Sequence, residues 1–287
     1  MYRLKDAAQV PALKKIATFV LFGCAVLLLA YPVQFLIKLD GTDWVDVFYK
    51  VAQVTWQGGN PYTVFGFYNP PWSLPLILAL SIGSARYSQA LVFVVSLFSA
   101  IILCRKMNVG ILGTAAYLLS APSLIILTMG NLEHILMLAL LLPLEWGALI
   151  FMLKPQIGLG YILYHAWLSY RQAGWLGLLR LVSPLTATIM TASLLMFGFP
   201  RMVVSSMPWN LGLFPYLLLP AVLVLVLAVK SQKPEYSLAA SPGFAPYLTT
   251  NSFLTVGVAL MKAPARWMVL YSILSWVFQI IFYLNHT

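Results

Sequence analysis

The chain has 287 residues, of which 61% are hydrophobic and 8% charged, with a net charge of +10. A soluble domain is about a quarter charged, so this composition excludes an ordinary water-soluble globular protein and points to an integral membrane protein. Nucleic acid is excluded as a partner because the 17 Lys and Arg stand in short clusters between apolar runs, with no basic face beside exposed aromatics.

A membrane-spanning helix needs about 20 mostly apolar residues. Uncharged stretches near that length fall at 16–37, 87–104, 107–132, 181–200, 202–229, 236–261 and 267–287, with shorter ones at 135–144 and 155–170. The expectation is an all-α, polytopic transmembrane bundle of roughly eight to ten membrane segments, some broken or re-entrant. It forms a single integral membrane domain over 1–287, without a long polar linker or an evident repeat.

The first run is too long for a signal-peptide core and lacks a clear small-residue cleavage site, so it reads as a retained anchor. Arg3, Lys5, Lys14 and Lys15 precede it, Arg105 and Lys106 follow the run 87–104, and Lys230 and Lys233 flank a later one. Such clusters stay cytoplasmic. Residues 1–15 are therefore expected in the cytoplasm and 38–86 outside, as the first outer loop of a multi-pass cell-membrane protein. Cys24 and Cys104 lie inside apolar segments and make neither a metal-ligand pattern nor a disulfide framework. No metal and no cofactor are expected.

The outer loop holds Asp40, Asp43 and Asp46, three of only seven acidic residues. Over 43–56 the spacing predicts a helix: Trp44, Val47, Phe48, Val51 and Val54 recur every three or four residues, and Asp43, Asp46 and Lys50 make an adjoining polar face. Such a helix lies along the membrane surface with its carboxylates at the water boundary. The cluster Gly58, Gly59, Asn60, Pro61 then turns the chain, and the apolar piece 72–81 is too short to span. The run 87–104 goes inward and 107–128 outward, which places 130–134 at the outer surface, before 132–143 returns. Pro155 interrupts the next helix, 168–175 is cytoplasmic, 176–197 crosses to an outer loop holding Arg201, and 241–247 is the tip of a broken helix.

Three polar groups are candidates for chemistry. The aspartate trio is either a solvated loop face, with Asp46 paired to Lys50, or a general base with a helper. Asn131, Glu133 and His134, in MGNLEHILML, are either a membrane-boundary cap or a polar site in which His134 carries a proton or donates a hydrogen bond. Lys154, in FMLKPQIGL, either snorkels to a surface or faces a polar cavity, where with Arg201 it clamps a phosphate. There is no glycine-rich phosphate loop, serine-triad motif or His/Cys cluster.

Residues 43–75 read DWVDVFYKVAQVTWQGGNPYTVFGFYNPPWSLP. An acidic residue, an aromatic pair ending in Tyr, G-x-N-P-Y and Y-x-P-P together resemble the first outer loop of GT-C-fold glycosyltransferases, in particular the polyprenyl-phosphate-mannose-dependent mannosyltransferase-like family. MGNLEHILML, FMLKPQIGL and SPGFAPYL follow in that family's order. The resemblance implies transfer of a sugar, mannose or another hexose, from a polyprenyl-phosphate donor to a glycan or lipid acceptor on the outer face. Asp43 matches the general base by motif position and Asp46 is the second candidate. Lys154 and Arg201 are the expected donor-phosphate ligands. Tyr49, Asn60, Tyr62, Tyr68, Asn131, Glu133, His134 and Tyr247 are the substrate-pocket candidates. The chemistry is consistent with this set: a base takes the acceptor hydroxyl proton, cations steady the departing phosphate, and a good leaving group needs no strong acid. The competing readings are a non-catalytic membrane subunit and a lipid or solute transporter. An enzyme requires Asp43 in an outer cavity beside a cation, and a transporter requires a polar path to both sides.

The charge clusters yield one direct test of topology. A Thr63→Cys variant, with Cys24 and Cys104 replaced, is expected to react with a membrane-impermeant maleimide in intact cells. Labelling only after lysis would refute the outer placement of the loop.

Overall fold

A computed structural model describes residues 6–36, 41–181, 184–198, 210–211 and 213–284. These form fourteen α-helices joined by short 3-10 and π-helical turns, with no strand among the described residues. α1 (Asp6–Leu36) leads to a π-helical turn, Thr42–Phe48, that runs straight on as α2 (Tyr49–Trp56). Next come α3 (Leu74–Leu80), α4 (Ala85–Lys106), α5 (Ile111–Leu118), α6 (Ala121–Met129), α7 (Glu133–Met137) and α8 (Leu144–Phe151). The second half holds α9 (Pro155–Leu181), α10 (Pro184–Phe197), α11 (Leu218–Ser231), α12 (Pro234–Phe244), α13 (Leu254–Ala259) and α14 (Ala265–Leu284).

The central element is α4, because its ends are specified locally and its flanks are covered. Ser84 caps it, its hydroxyl accepting from the Tyr87 N–H at 3.2 Å, and Arg105 and Lys106 complement the dipole in the last turn. One flank packs on α1: Val26 and Ala30 are buried against Ala90, Leu91 and Val94. The two helices are antiparallel, since the Phe22 ring meets that of Phe98 while the Tyr87 hydroxyl reaches back to the Leu27 carbonyl. On the other side α4 meets α6, α7 and the π turn.

Eight to ten spans is not what the helices support. Two described helices, Ala85–Lys106 and Ala265–Leu284, are long and apolar enough to cross a membrane. The bent pair Ile111–Leu118 and Ala121–Met129 makes a third if it is one span, broken by 59°. The apolar stretches of α1, α10 and α11 are shorter. Proline and glycine cut the runs that composition alone leaves continuous. Pro122 opens α6, Pro155 opens α9, and the left-handed Gly174 breaks α9 at the position read as a cytoplasmic loop. The run 236–261 is no span either, since Pro242 and Ala245 end α12 and a 3-10 turn and α13 follow. Irregular backbone of this kind is tolerated in an apolar setting only when it is buried in protein. Accordingly Ser237, Ser241, Asn251, Ser252 and Thr255 are buried.

Outward, α1, α11 and α14 expose Leu21, Leu28, Phe35, Leu219, Leu223, Ile273 and Ile281. An apolar exterior of this kind, with α14 long enough to span, is the surface a bilayer covers.

A close helix–helix approach falls at Gly160, where α9 crosses α12. A Cβ there would overlap the Ser237 carbonyl oxygen, and the Gly160 N–H donates to Ser241 Oγ at 3.0 Å. Gly160→Val is therefore expected to force the helices apart and cost about 3 kcal/mol or more, read as a lower thermal midpoint in detergent. Gly23→Val, on the exposed face of α1 with open space around its Cα, is expected to leave the midpoint unchanged.

Candidate functional site

The site is assembled where the π turn, the end of α6 and the start of α9 meet. α6 stops at Gly130, whose φ of +78° is the left-handed conformation of a helix end. The N–H groups of Gly130 and Asn131 both return to the Ile126 carbonyl, at 3.1 and 3.0 Å. Here glycine is required twice over, because a Cβ would also stand 2.5 Å from the Trp44 Cβ. Trp44 is fully buried, and its indole N–H donates to Ser88 Oγ on α4 at 2.7 Å. One residue along, Gln89 donates from Nε2 to the Thr128 carbonyl at 3.2 Å. The π turn is thus pinned to α4 and α6 at once.

The sequence predicted a helix at 43–56, and the structure has one, but its first turn is π rather than α. The Tyr49 N–H bonds the Trp44 carbonyl five residues back. A π turn advances each residue through less rotation than an α turn, so residues three apart no longer share a face. Asp43 and Asp46 part company for this reason. Asp46 faces water and pairs with Lys50 at 3.0 Å, both side chains more than half exposed. Asp43 is half-buried and turns inward.

Asp43 meets a chain of polar groups. Asn131 donates from Nδ2 to Asp43 Oδ2. The Asn131 Oδ1 accepts from Lys154 Nζ at 3.3 Å, and Lys154 in turn pairs with Glu133 Oε1. Lys154 reaches inward because it sits in the turn between α8 and α9: its N–H bonds the Phe151 carbonyl at 3.3 Å, and Pro155 opens the next helix. Glu133 is wholly buried, and its Oε2 has no hydrogen-bond partner among the described residues. Asp43 lies in the loop outside the spanning helices. Burial pushes its carboxyl above the ordinary range, opposed by the Asn131 hydrogen bond and by Lys154, and assisted by Glu133. The arrangement is a carboxylate with one oxygen held by an amide, and that amide polarised by a buried ion pair.

The remaining candidates divide. His134 is not at an outer surface. It is fully buried, with Tyr117 Oη 3.3 Å from Nδ1 and Ser123 Oγ 3.0 Å from Nε2, so both ring nitrogens are engaged internally. Asn131 and Glu133 are buried too, so 130–134 is an internal segment and not a solvent-exposed one. Tyr49 donates to the Gly83 carbonyl at 2.7 Å and Asn60 Oδ1 accepts from the Tyr62 N–H at 2.9 Å. Tyr62 donates to the Asn69 carbonyl at 3.1 Å and stacks on Phe67. These three residues shape the loop. Tyr68 and Tyr247 do come together, ring edge to face at 6.4 Å, joining the first loop to the late segment. Trp72 ties the same part of the loop to the Met152 carbonyl at 2.8 Å, two residues before Lys154. Asp40 and Arg201 lie outside the described residues. Among the described residues no group of His, Cys, Asp and Glu is placed to hold a metal ion.

Ser88 and Gln89 were not singled out from the sequence, although they help to position the site. The one signal was a Ser-Gln pair inside the apolar run of α4.

Removing one partner of a buried pair strands the other and costs about 3–5 kcal/mol. Lys154→Met is therefore expected to destabilise the protein by about that amount, and the double variant Lys154→Met, Glu133→Gln to recover most of it. Thermal or denaturant unfolding of the two in detergent checks this, and equal losses would mean that Glu133 does not depend on Lys154.

No family model, no curated protein and no solved structure matches this chain.

Proposed function

We propose that this chain is a multi-pass membrane glycosyltransferase of the GT-C type, with its N-terminus in the cytoplasm. In this reading it moves a hexose from a polyprenyl-phosphate carrier to a glycan or lipid acceptor outside. The observation that carries the reading is the Asp43–Asn131–Lys154 chain on a turn beside the apolar helices. The Asp43 Oδ2 is fixed by Asn131, and no described residue donates to Oδ1. In the reaction Asp43 takes the proton of an acceptor hydroxyl, the freed oxygen attacks the anomeric carbon, and the bond from that carbon to the phosphate oxygen breaks, releasing polyprenyl phosphate. A raised pKa makes Asp43 a better base than an ordinary surface carboxylate.

Lys154 takes a different part from the one its motif suggested. Glu133 and Asn131 already occupy two of its donors, so it acts as a positioning residue that orients Asn131. Topology is supported by the separation of charge along α4. Asp43 and Glu133 lie near its start, and Arg105 and Lys106 end it.

Transfer of labelled mannose from polyprenyl-phosphate mannose, by membranes containing the protein, tests the proposal. Asp43→Asn is expected to lower the rate by about 10²–10⁴ while the folded protein persists. Asp46→Asn is expected to stay within a few-fold of the parent. The parent rate should fall on acidification through a pKa above the ordinary carboxylate range. A parent-like rate for Asp43→Asn would overturn the assignment. No transfer by the parent from any polyprenyl-phosphate hexose would leave the subunit or transporter reading in its place.

A further inference from the structure

Two adjoining concavities lie against α14 at the far end of the protein from Asp43. The first, about 330 Å³, sits between the α4–α5 turn, at Met107 and Asn108, and the turn into α14, at Lys262 and Ala263. The second, about 450 Å³, runs along α14 and is lined by Phe253, Val256, Trp267, Leu270, Leu274 and Phe278. Leu260 borders both. A pocket with a cation and an amide at its mouth therefore opens onto an apolar groove, the shape of a site for an amphiphile with an anionic head.

The charges at this end favour an anion. Lys262 is half-exposed, and its one ion partner among the described residues is Glu235 at 3.1 Å. An ammonium has three donors, so a phosphate can share it without displacing Glu235. Around the pocket Arg105, Lys106 and Arg266 are exposed. Among the described side chains Glu235 is the one carboxylate at this end, since Asp43, Asp46 and Glu133 belong to the other. α4 separates the two ends by its own length, 22 residues or about 33 Å. Trp267, exposed at the start of α14 beside Arg266, has the amphipathic ring found at the membrane–water boundary. That boundary is where a lipid head would enter the pocket.

We propose that this pocket and groove bind one anionic phospholipid of the leaflet on the basic side, with its phosphate at Lys262 and an acyl chain along α14. The site is independent of Asp43 and of any transfer reaction. It holds the α4–α5 turn against the start of α14, two elements that otherwise meet across a cavity.

Titration of the detergent-solubilised full chain with dioctanoyl phosphatidylglycerol, read by native mass spectrometry, tests the assignment. Phosphatidylglycerol is expected to bind about fivefold or more tightly than phosphatidylcholine of the same chain length. Lys262→Gln should lose about that factor, and Lys262→Arg should keep it. Leu274→Trp fills the groove at a position more than half exposed, so the protein folds, and it too should weaken binding. If Lys262→Gln is too unstable to purify because Glu235 loses its partner, Leu274→Trp and the headgroup comparison decide alone. Equal binding of the two lipids overturns the proposal, and so does unchanged affinity in Leu274→Trp. Displacement of the lipid by millimolar inorganic phosphate would identify a site for a free anion instead.

Discussion

An ammonium in the interior of an apolar helical protein has to be neutralised, and the neutralisation of Lys154 sets the geometry of everything around it. Glu133 supplies the charge, and the pair leaves Lys154 a further donor that fixes the amide of Asn131. With its oxygen turned to Lys154, that amide can present only its N–H to Asp43. Each step needs a break in a helix. Gly130 ends α6 so that Asn131 and Glu133 follow within three residues, and Pro155 starts α9 so that Lys154 lies in a turn. The π turn rotates Asp43 away from Asp46. Straight helices of spanning length would carry none of these side chains to the same point.

The support behind the site is apolar and steric. Trp44 is buried between α4 and the chain reversal at Gly130, and a side chain at Gly130 would collide with it. The polar chain is thus positioned by a packed aromatic whose own N–H is satisfied by Ser88. Buried polar networks are tolerated when their members are paired. This one is paired through to Glu133, whose second oxygen is the network's one buried atom without a described partner.

Much of this was legible in the sequence and some was not. The helix over 43–56 followed from the spacing of Trp44, Phe48 and Val51, all of which are buried. Of the two placements the sequence left open for Lys154, snorkelling or facing inward, the inward one is observed. The bland alternative for Asp46, pairing with Lys50, is the one observed. What the sequence hid were effects of backbone geometry. Periodicity read at the α repeat puts Asp43 and Asp46 on one face, and only the π turn separates them. Apolar runs were counted as spans because hydropathy does not register where proline and a left-handed glycine cut a helix. Glu133 and His134 read as neighbours at a surface because adjacency in sequence carries no burial. In the fold they point to different partners, Lys154 for one, Tyr117 and Ser123 for the other.

The position of Glu133 also bears on why Asp43 suits a base at all. A carboxylate beside an unshared lysine is stabilised in its charged form and becomes a poor proton acceptor. Here Lys154 does lower the Asp43 pKa, but Glu133 raises it, and burial outweighs both the lysine and the Asn131 hydrogen bond. The lysine is thus close enough to orient Asp43 through Asn131, yet its charge is largely answered by Glu133. Two carboxylates share one cation, and the more deeply buried of them holds the ion pair. The other, nearer the surface, is left basic, with one oxygen unbonded by any described residue. The same sharing argues against Lys154 as the main ligand of a donor phosphate. An anion arriving at that point meets one positive and two negative charges, so in the proposed reaction the attraction for the phosphate has to come from cations other than this one.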